Sequence, residues 1–472
     1  MKFLPPSPRT FTFRSSNLLL ISTCTCVLIY VVVSLILVFT SDFYYKSLSS
    51  PVLAPTVIEH IAYGIASSQN SWPKQKDFVK LWWNPRKMRG CVFLDGLTAD
   101  YSGDSSSLPP LCMSQDTSRF RYSNRKGHRS AIRVARIVSE AVNLSLPGVR
   151  WFVFGDDETV FFPENLVKTL SKYDHQLWYY IGTNSENYEQ NRIFSFDMAF
   201  WGAGFAISSP LAKVLAKVLD SCLERYPHLF GSDGRIHSCL AELGVGLTRE
   251  PGFHQMDIRG NAFGLLAAHP LSPLVSLHHS GHTNPLFPNM TAIKSLQRLF
   301  EAVDVDSERI LQHTICYDRW FSWTISVSWG YAVEVFDYHI YLPDALQAQE
   351  TFEPWKKGGV LAGAHTFNTR PVVADPCKRS TIFFFDGVSS GKNGIIKTKY
   401  RRFLHDNCTY DPKASAKKLE EIVVITKKLD LNIKQLQSPR RHCCDMLPPS
   451  ADQKLEVSIR ECTGEELVYM HA

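Results

Sequence analysis

Three acids in a row, Asp156, Asp157 and Glu158, follow the apolar run Trp151-Phe152-Val153-Phe154 and one glycine. Like charges this close raise one another's pKa, and a bound cation relieves the repulsion. A divalent ion that bridges a pyrophosphate takes a few carboxylate oxygens and leaves positions open for substrate. The competing reading is an acidic turn that caps the helical-looking ENLVKTLSKY behind it. A second feature, Trp201-Gly202-Ala203-Gly204, has glycines that let a backbone approach a ligand closely, or that merely form a loop before a strand. A third, Gly231-Ser232-Asp233-Gly234-Arg235, sets a carboxylate on a glycine-flanked turn before the helical-looking Ile236–Leu243. There it serves either as a general base toward a substrate hydroxyl or as a helix cap. A fourth, Gly252-Phe253-His254-Gln255-Met256-Asp257, offers an imidazole to a carboxylate set, a ligand mix that suits Mn²⁺-type ions. His278-His279 is a rival for that role, and a histidine of purely structural use is the alternative for both.

The elements that must position these residues read as alternating strands and helices. Val57 to Ala66 is a short apolar run, Gly90 to Leu94 is a strand that ends at Asp95, and Trp151 to Phe154 is a third strand. Between them Arg125 to Val142 has apolar residues at near-helical period and a basic outer face. This alternation predicts an α/β fold with a mostly parallel sheet. In such sheets ligands bind beyond the carboxyl ends of the strands, where Asp95 and Asp156–Glu158 fall. From Asp304 the pattern changes. Trp323 to Trp329 alternates strictly, Val333–Phe336 and Ser380–Asp386 are further strands, and six cysteines follow Asp304. The region 304–472 is therefore expected to be a smaller, β-rich, disulfide-stapled unit.

The chain has 472 residues, 44% hydrophobic and 20% charged, with a net charge of +6, which is globular composition without a basic stripe for nucleic acid. Leu18 to Phe39 carries no charge, and at 1.5 Å per residue it spans roughly 33 Å, enough for a bilayer. Lys2, Arg9 and Arg14 precede it, which predicts a cytosolic tail at 1–17, a signal-anchor helix at 18–40, a stem at 41–55 and a lumenal remainder. A cleaved signal peptide is the weaker alternative, because the run exceeds the usual length and no clear cleavage site follows. Ten cysteines lie beyond the anchor with no C-x-x-C pair among them, so disulfides in an oxidising lumen are expected rather than zinc. Sequons at Asn143, Asn289 and Asn407 permit N-glycans.

Several blocks in one order carry a resemblance. WFVFGDDETVFF, YYIGTNSE, FWGAGFAIS, RYPHLFGSDGRI, CLAELGVGLTREPGFHQMDIRGN, FGLLAAHP and LVSLHH, with IASSQNSWPKQKDFVKLWW and FNTRP at the ends, closely resemble the plant Fringe-related family. That family is similar to Fringe glycosyltransferases and core-1 galactosyltransferases, which are inverting, Mn²⁺-dependent and of the Rossmann-like GT-A fold. The resemblance implies a GT-A domain at 56–303 and transfer of a sugar from a UDP-sugar to a glycan or glycoprotein hydroxyl in the Golgi. It also implies Asp156 and Asp157 at the donor, Asp157, Glu158 and His254 on the metal, and Asp233 as base. Two departures fall on the chemistry. Glu158 stands where relatives have a third aspartate, and Gly234 stands where they often have a second one beside Asp233. They keep a second reading open, that of a catalytically silent Golgi protein that binds a glycan or a partner enzyme. A glycosidase needs two carboxylates flanking the scissile bond, and a clustered triplet suits a cation better.

Overall fold

Strand Trp151–Asp156 is apolar at every position up to its last two residues and is buried almost throughout, so it forms the middle of a sheet. The computed structural model describes residues 22–37, 55–96, 106–318, 322–356, 358, 361, 363–403, 408–411, 415–448 and 453–468. The chain divides into two units, Met1–Pro55 and Thr56–Ala472. In the first, residues 22–37 are helical, with exposed apolar side chains such as Leu28 and Leu37. Among the described residues no helix is long and apolar enough to cross a membrane. Residues 18–21 and 38–40 of the expected anchor, the tail and nearly all of the expected stem lie outside the described residues.

The second unit is built on two sheets. The first contains β1 (Ile61–Ala66), β2 (Arg89–Leu94), β3 (Leu111–Met113), β4 (Trp151–Asp156), β5 (Tyr180–Gly182), β6 (Phe205–Ser208) and β7 (Leu247–Arg249), in the order β3-β2-β1-β4-β6-β5-β7. β3, β2, β1 and β4 run parallel, and β5 pairs parallel with β7. β6 runs against both of its neighbours. The sheet is thus mostly parallel, as expected, with one reversed strand that the alternation pattern does not reveal. Helices α1 (Trp72–Lys80), α2 (Ser130–Asn143), α3 (Pro163–Leu170), α4 (Ser209–Arg225) and α5 (Ser232–Glu242) accompany it. The basic face expected on α2 is not all solvent-facing. Arg133 and Arg136 are buried, because the first donates to backbone carbonyls of the sheet and the second pairs with Asp220 and Glu140.

The second sheet holds β8 (His313–Tyr317), β9 (Thr324–Ser328), β10 (Ala332–Phe336), β11 (Thr381–Ser390), β12 (Ile395–Arg402), β13 (Glu421–Lys427), β14 (His442–Leu447) and β15 (Lys454–Glu461), in the order β8-β9-β10-β11-β12-β13-β15-β14. Only β13 and β15 pair in parallel. The two outermost strands, β8 and β14, are joined by the Cys316–Cys444 disulfide and by a 3.0 Å hydrogen bond between Thr314 Oγ1 and His442 Nδ1. Residues 304–472 are not set apart from what precedes them. Helix α6 (Ala292–Asp306) runs through the expected boundary, and one hydrophobic core takes in Ile61, Trp151 and Leu296 together with Val327, Phe383 and Ile459. All ten cysteines beyond the apolar helix are paired, as 91–112, 222–239, 316–444, 377–408 and 443–462.

Candidate active site

The acids Asp156, Asp157 and Glu158 begin at the carboxyl end of β4, beside Ala66 at the carboxyl end of β1, so two parallel strands deliver their ends to one place. The backbone N–H of Asp157 donates to Ala66 O at 3.1 Å, and Ser67 Oγ donates to the Asp157 carboxylate at 2.5 Å. Behind this turn lies Arg133, 9% exposed, which donates through Nη2 to Ser67 O at 2.6 Å and through Nη1 to Phe93 O at 3.2 Å. The guanidinium holds the β1 turn against β2, and that turn holds Asp157. Glu158 accepts from Gln75 Nε2 of α1 at 2.8 Å and lies 3.8 Å from His282. Asp95 sits nearby at the end of β2 and accepts from the Gln69 N–H.

A cleft of about 390 Å³ opens here, within the range of small-molecule sites. Its walls include Ser67, Arg133, Asp156, Gly202, Asp233 and His278. Asp233 does not precede its helix, as the sequence suggests, but lies in the first turn of α5 with Gly231 as the cap residue. The Trp201 N–H donates to Asp233 Oδ1 at 2.9 Å, so the Trp-Gly-Ala-Gly turn positions this acid directly. Burial first, and then the charge of Asp156, push the Asp233 carboxyl up to about 6. The same two causes, in the same order, push Asp157 up to about 6 against its hydrogen bonds from Ser67 and Ser71. Glu158 is also raised, by burial and by Asp156.

The histidine that meets the acids is His278. Its Nε2 lies 3.2 Å from Asp156 Oδ2, and the Asp156 side chain is 29% exposed. Burial alone would pull the imidazole down, but Asp156 beside it, with the charges of Glu158 and Asp257, pushes it up to about 9. Reciprocally, burial favours the neutral form of Asp156, and the charge and hydrogen bond of His278 override it and hold Asp156 down at about 2. Gly202 makes this contact possible, since a Cβ there would lie 2.1 Å from His278 Cε1.

His254 is not brought to the acids. Its Nδ1 is 3.1 Å from Glu186 Oε1 and its Nε2 is 3.0 Å from His269 Nδ1, so both ring nitrogens are engaged elsewhere. The reason is strand alternation. Phe253–His254 pairs in parallel with Ser276–Leu277, which puts Gln255 and His278 one step further on, where both line the cleft. Gln255 Oε1 there accepts from the Ala203 N–H at 2.7 Å. Of the two histidines, His278 lines the cleft and His254 does not. Ser67 and Arg133 were missed altogether, because a serine after a strand and an arginine on a helix carry no distinctive signal.

Among the described residues no three His, Cys, Asp or Glu side chains stand together as a ready-made metal cage. The donor chemistry nonetheless fits a hard divalent cation. Asp157 and Glu158 are held above their ordinary range partly by like charge, a strain that a cation relieves, and buried His278 keeps Nδ1 without a hydrogen-bond partner.

The architecture is that of a mixed α/β protein with a largely parallel sheet and a polar cleft at its strand ends. The chain belongs to the family described as "Protein of unknown function, DUF604", whose model matches residues 190–444, more than half of its length. No curated protein matches it. Among solved structures it is similar to a mannosyltransferase, PcManGT from Pyrobaculum calidifontis, in complex with GDP-Man and Mn²⁺. The identity is 13% and the TM-score 0.23, over 49% of this chain and 69% of that one.

Proposed function

We propose that the protein is an inverting, metal-dependent glycosyltransferase that moves a sugar from a UDP-sugar to a hydroxyl of a glycan or glycoprotein. One observation carries this reading. Asp156, the first acid of the triplet, and Asp233, a separate carboxylate held near neutral, line one cleft at the ends of parallel strands, with Asp157 and Glu158 following Asp156 directly in the chain. Asp233 is the base. As the acceptor oxygen bonds to the anomeric carbon from the side opposite UDP, its proton passes to the Asp233 carboxylate. The bond between that carbon and the diphosphate oxygen breaks, and the electron pair leaves with UDP. Asp157 and Glu158 would hold a divalent cation such as Mn²⁺, with His278 able to join them only by giving up its proton, and Asp156 and Asp157 would face the donor. The chemistry supplied by that cation is neutralisation of the diphosphate charge. Glu158 is one methylene longer than the aspartate of relatives and keeps the charge.

A second reading, the silent glycan- or partner-binding protein, is favoured by the Asp156–His278 pair, which already neutralises one acid without a cation. A panel of UDP-sugars incubated with the purified protein, with Mn²⁺ or with EDTA, separates the two. Donor hydrolysis or transfer that needs the metal supports the enzyme. A folded protein inert toward every donor, with equal UDP affinity in both conditions, supports the silent one.

The uncharged run Leu18–Phe39 behind a basic N-terminus supports a single-pass, type II place in the Golgi membrane with the catalytic unit lumenal. In intact microsomes a C-terminal tag should resist protease until detergent is added, and digestion without detergent would refute this topology.

A further inference from the structure

An aromatic surface beside the base has no part in the chemistry above. Phe230 is 44% exposed and Phe196 36% exposed, with exposed Ile193 nearby in sequence. Phe194 joins the group, its ring centroid 5.7 Å from Phe230 and 6.2 Å from Phe200.

Phe230 is held in the open by a pinned backbone. Its carbonyl accepts from Tyr122 Oη at 2.9 Å, and the carbonyls of His228 and Gly231 in the same loop are also taken. His228 O accepts from Asn124 Nδ2 at 2.9 Å, and Gly231 O accepts from Arg235 Nη1 at 2.7 Å. The packing beneath has no slack, since a Cβ at Gly127 would lie 2.1 Å from Tyr122 Oη and 2.8 Å from Phe230 O.

The patch is continuous with the cleft by chain connection. Phe230 leads through Gly231 into Ser232 and Asp233, and Phe200 leads into Trp201, whose N–H fixes Asp233. A hydroxyl deprotonated by Asp233 must come within hydrogen-bond reach of it, and the rest of that molecule must lie against neighbouring surface.

We propose that Phe230, supported by Phe194, is the acceptor subsite and seats the nonpolar C–H face of a sugar ring; this rests on the glycosyltransferase reading. Phenyl rings give contact area and dispersion but no hydrogen bonds. They therefore suit a pyranose face whose hydroxyls stay in water or point at Asp233, and they make acceptor choice separable from donor binding.

The test uses the full-length chain in detergent with saturating UDP and Mn²⁺. Saturation-transfer NMR is recorded with methyl glycosides of galactose, glucose, mannose, N-acetylglucosamine and fucose. The expected result is that at least one binds with its ring C–H protons most strongly saturated. Phe230→Ala should weaken it about fivefold, Phe230→Tyr should restore it, and neither change should move UDP affinity or the melting temperature. Unchanged glycoside binding in Phe230→Ala overturns the proposal. So does the absence of binding by every glycoside to a chain that binds UDP. A chain that does not bind UDP defeats the glycosyltransferase reading instead, and this subsite falls with it.

Discussion

At the scale of single residues, Asp233 has the properties a base needs. Its carboxyl sits in the cleft wall, is oriented by the Trp201 N–H and is raised to about 6 by burial and by Asp156. Because the base acts in its ionised form, the turnover rate should be flat above about pH 6 and fall roughly tenfold per pH unit below it. Asp233→Asn, nearly isosteric but unable to take a proton, should remove transfer while UDP affinity persists. Initial rates from pH 5 to 8 at saturating donor check both points, and a variant that keeps wild-type turnover would place the base elsewhere. Gly234 carries less weight than its place beside Asp233 suggests. A Cβ there meets only Leu229 Cδ1, at 3.8 Å, and Gly234 does not line the cleft. Gly234→Ala is accordingly expected to leave turnover unchanged and to stabilise the protein by about 0.5–1 kcal/mol in urea titration, since alanine costs less order in a helix than glycine.

At the scale of elements, the close approach of one turn to one imidazole is the tightest constraint on the site. Gly202→Ala would drive a methyl into the buried His278 ring. It should cost about 1–3 kcal/mol of stability and weaken UDP binding through the displaced His278–Asp156 pair. Gly246→Ala, where nothing lies within 4 Å of the new Cβ, is the control. Calorimetric UDP affinity equal to wild type in Gly202→Ala would remove His278 from the site. The elements themselves were legible to different degrees. β2 and β4 are apolar runs between polar stretches and appear where the pattern puts them, whereas the apolar run Val57–Ala66 opens with a 3₁₀ turn at Ile58–His60 and becomes β1 only at Ile61. The start of α5 was not legible. Gly231 and Gly234 flank Asp233, and glycines argue for a turn, whereas the helix in fact begins at Ser232. The choice between His254 and His278 was beyond sequence as well. It depends on which residues of a two-residue strand pair face the cleft, and a shift of one position reverses the answer.

At the scale of the whole unit, the expected division at 303/304 fails because hydrophobic pattern reports the type of an element and not its packing partner. β-rich character after Asp304 was readable, but the core it shares with Ile61 and Trp151 was not. Expression of 56–303 alone should give aggregated or molten protein, whereas 56–472 should melt cooperatively in a calorimeter. A cooperative melt of the shorter piece would show that the first sheet suffices. The Cys316–Cys444 link closes a separation of 128 residues, so replacing both cysteines with alanine should cost about 2–5 kcal/mol, read from denaturant midpoints. That bond has another consequence. It stitches together β8 and β14, the two strands at the ends of the eight-stranded order, and so leaves neither as a free margin. In chains made where thiols stay reduced that tether is missing, and β8 and β14, the end strands of the order, are freer to part and pair with the same strand of another copy. Production under reducing conditions should therefore end in strand-swapped polymers and inclusion bodies rather than in a weakened but soluble monomer.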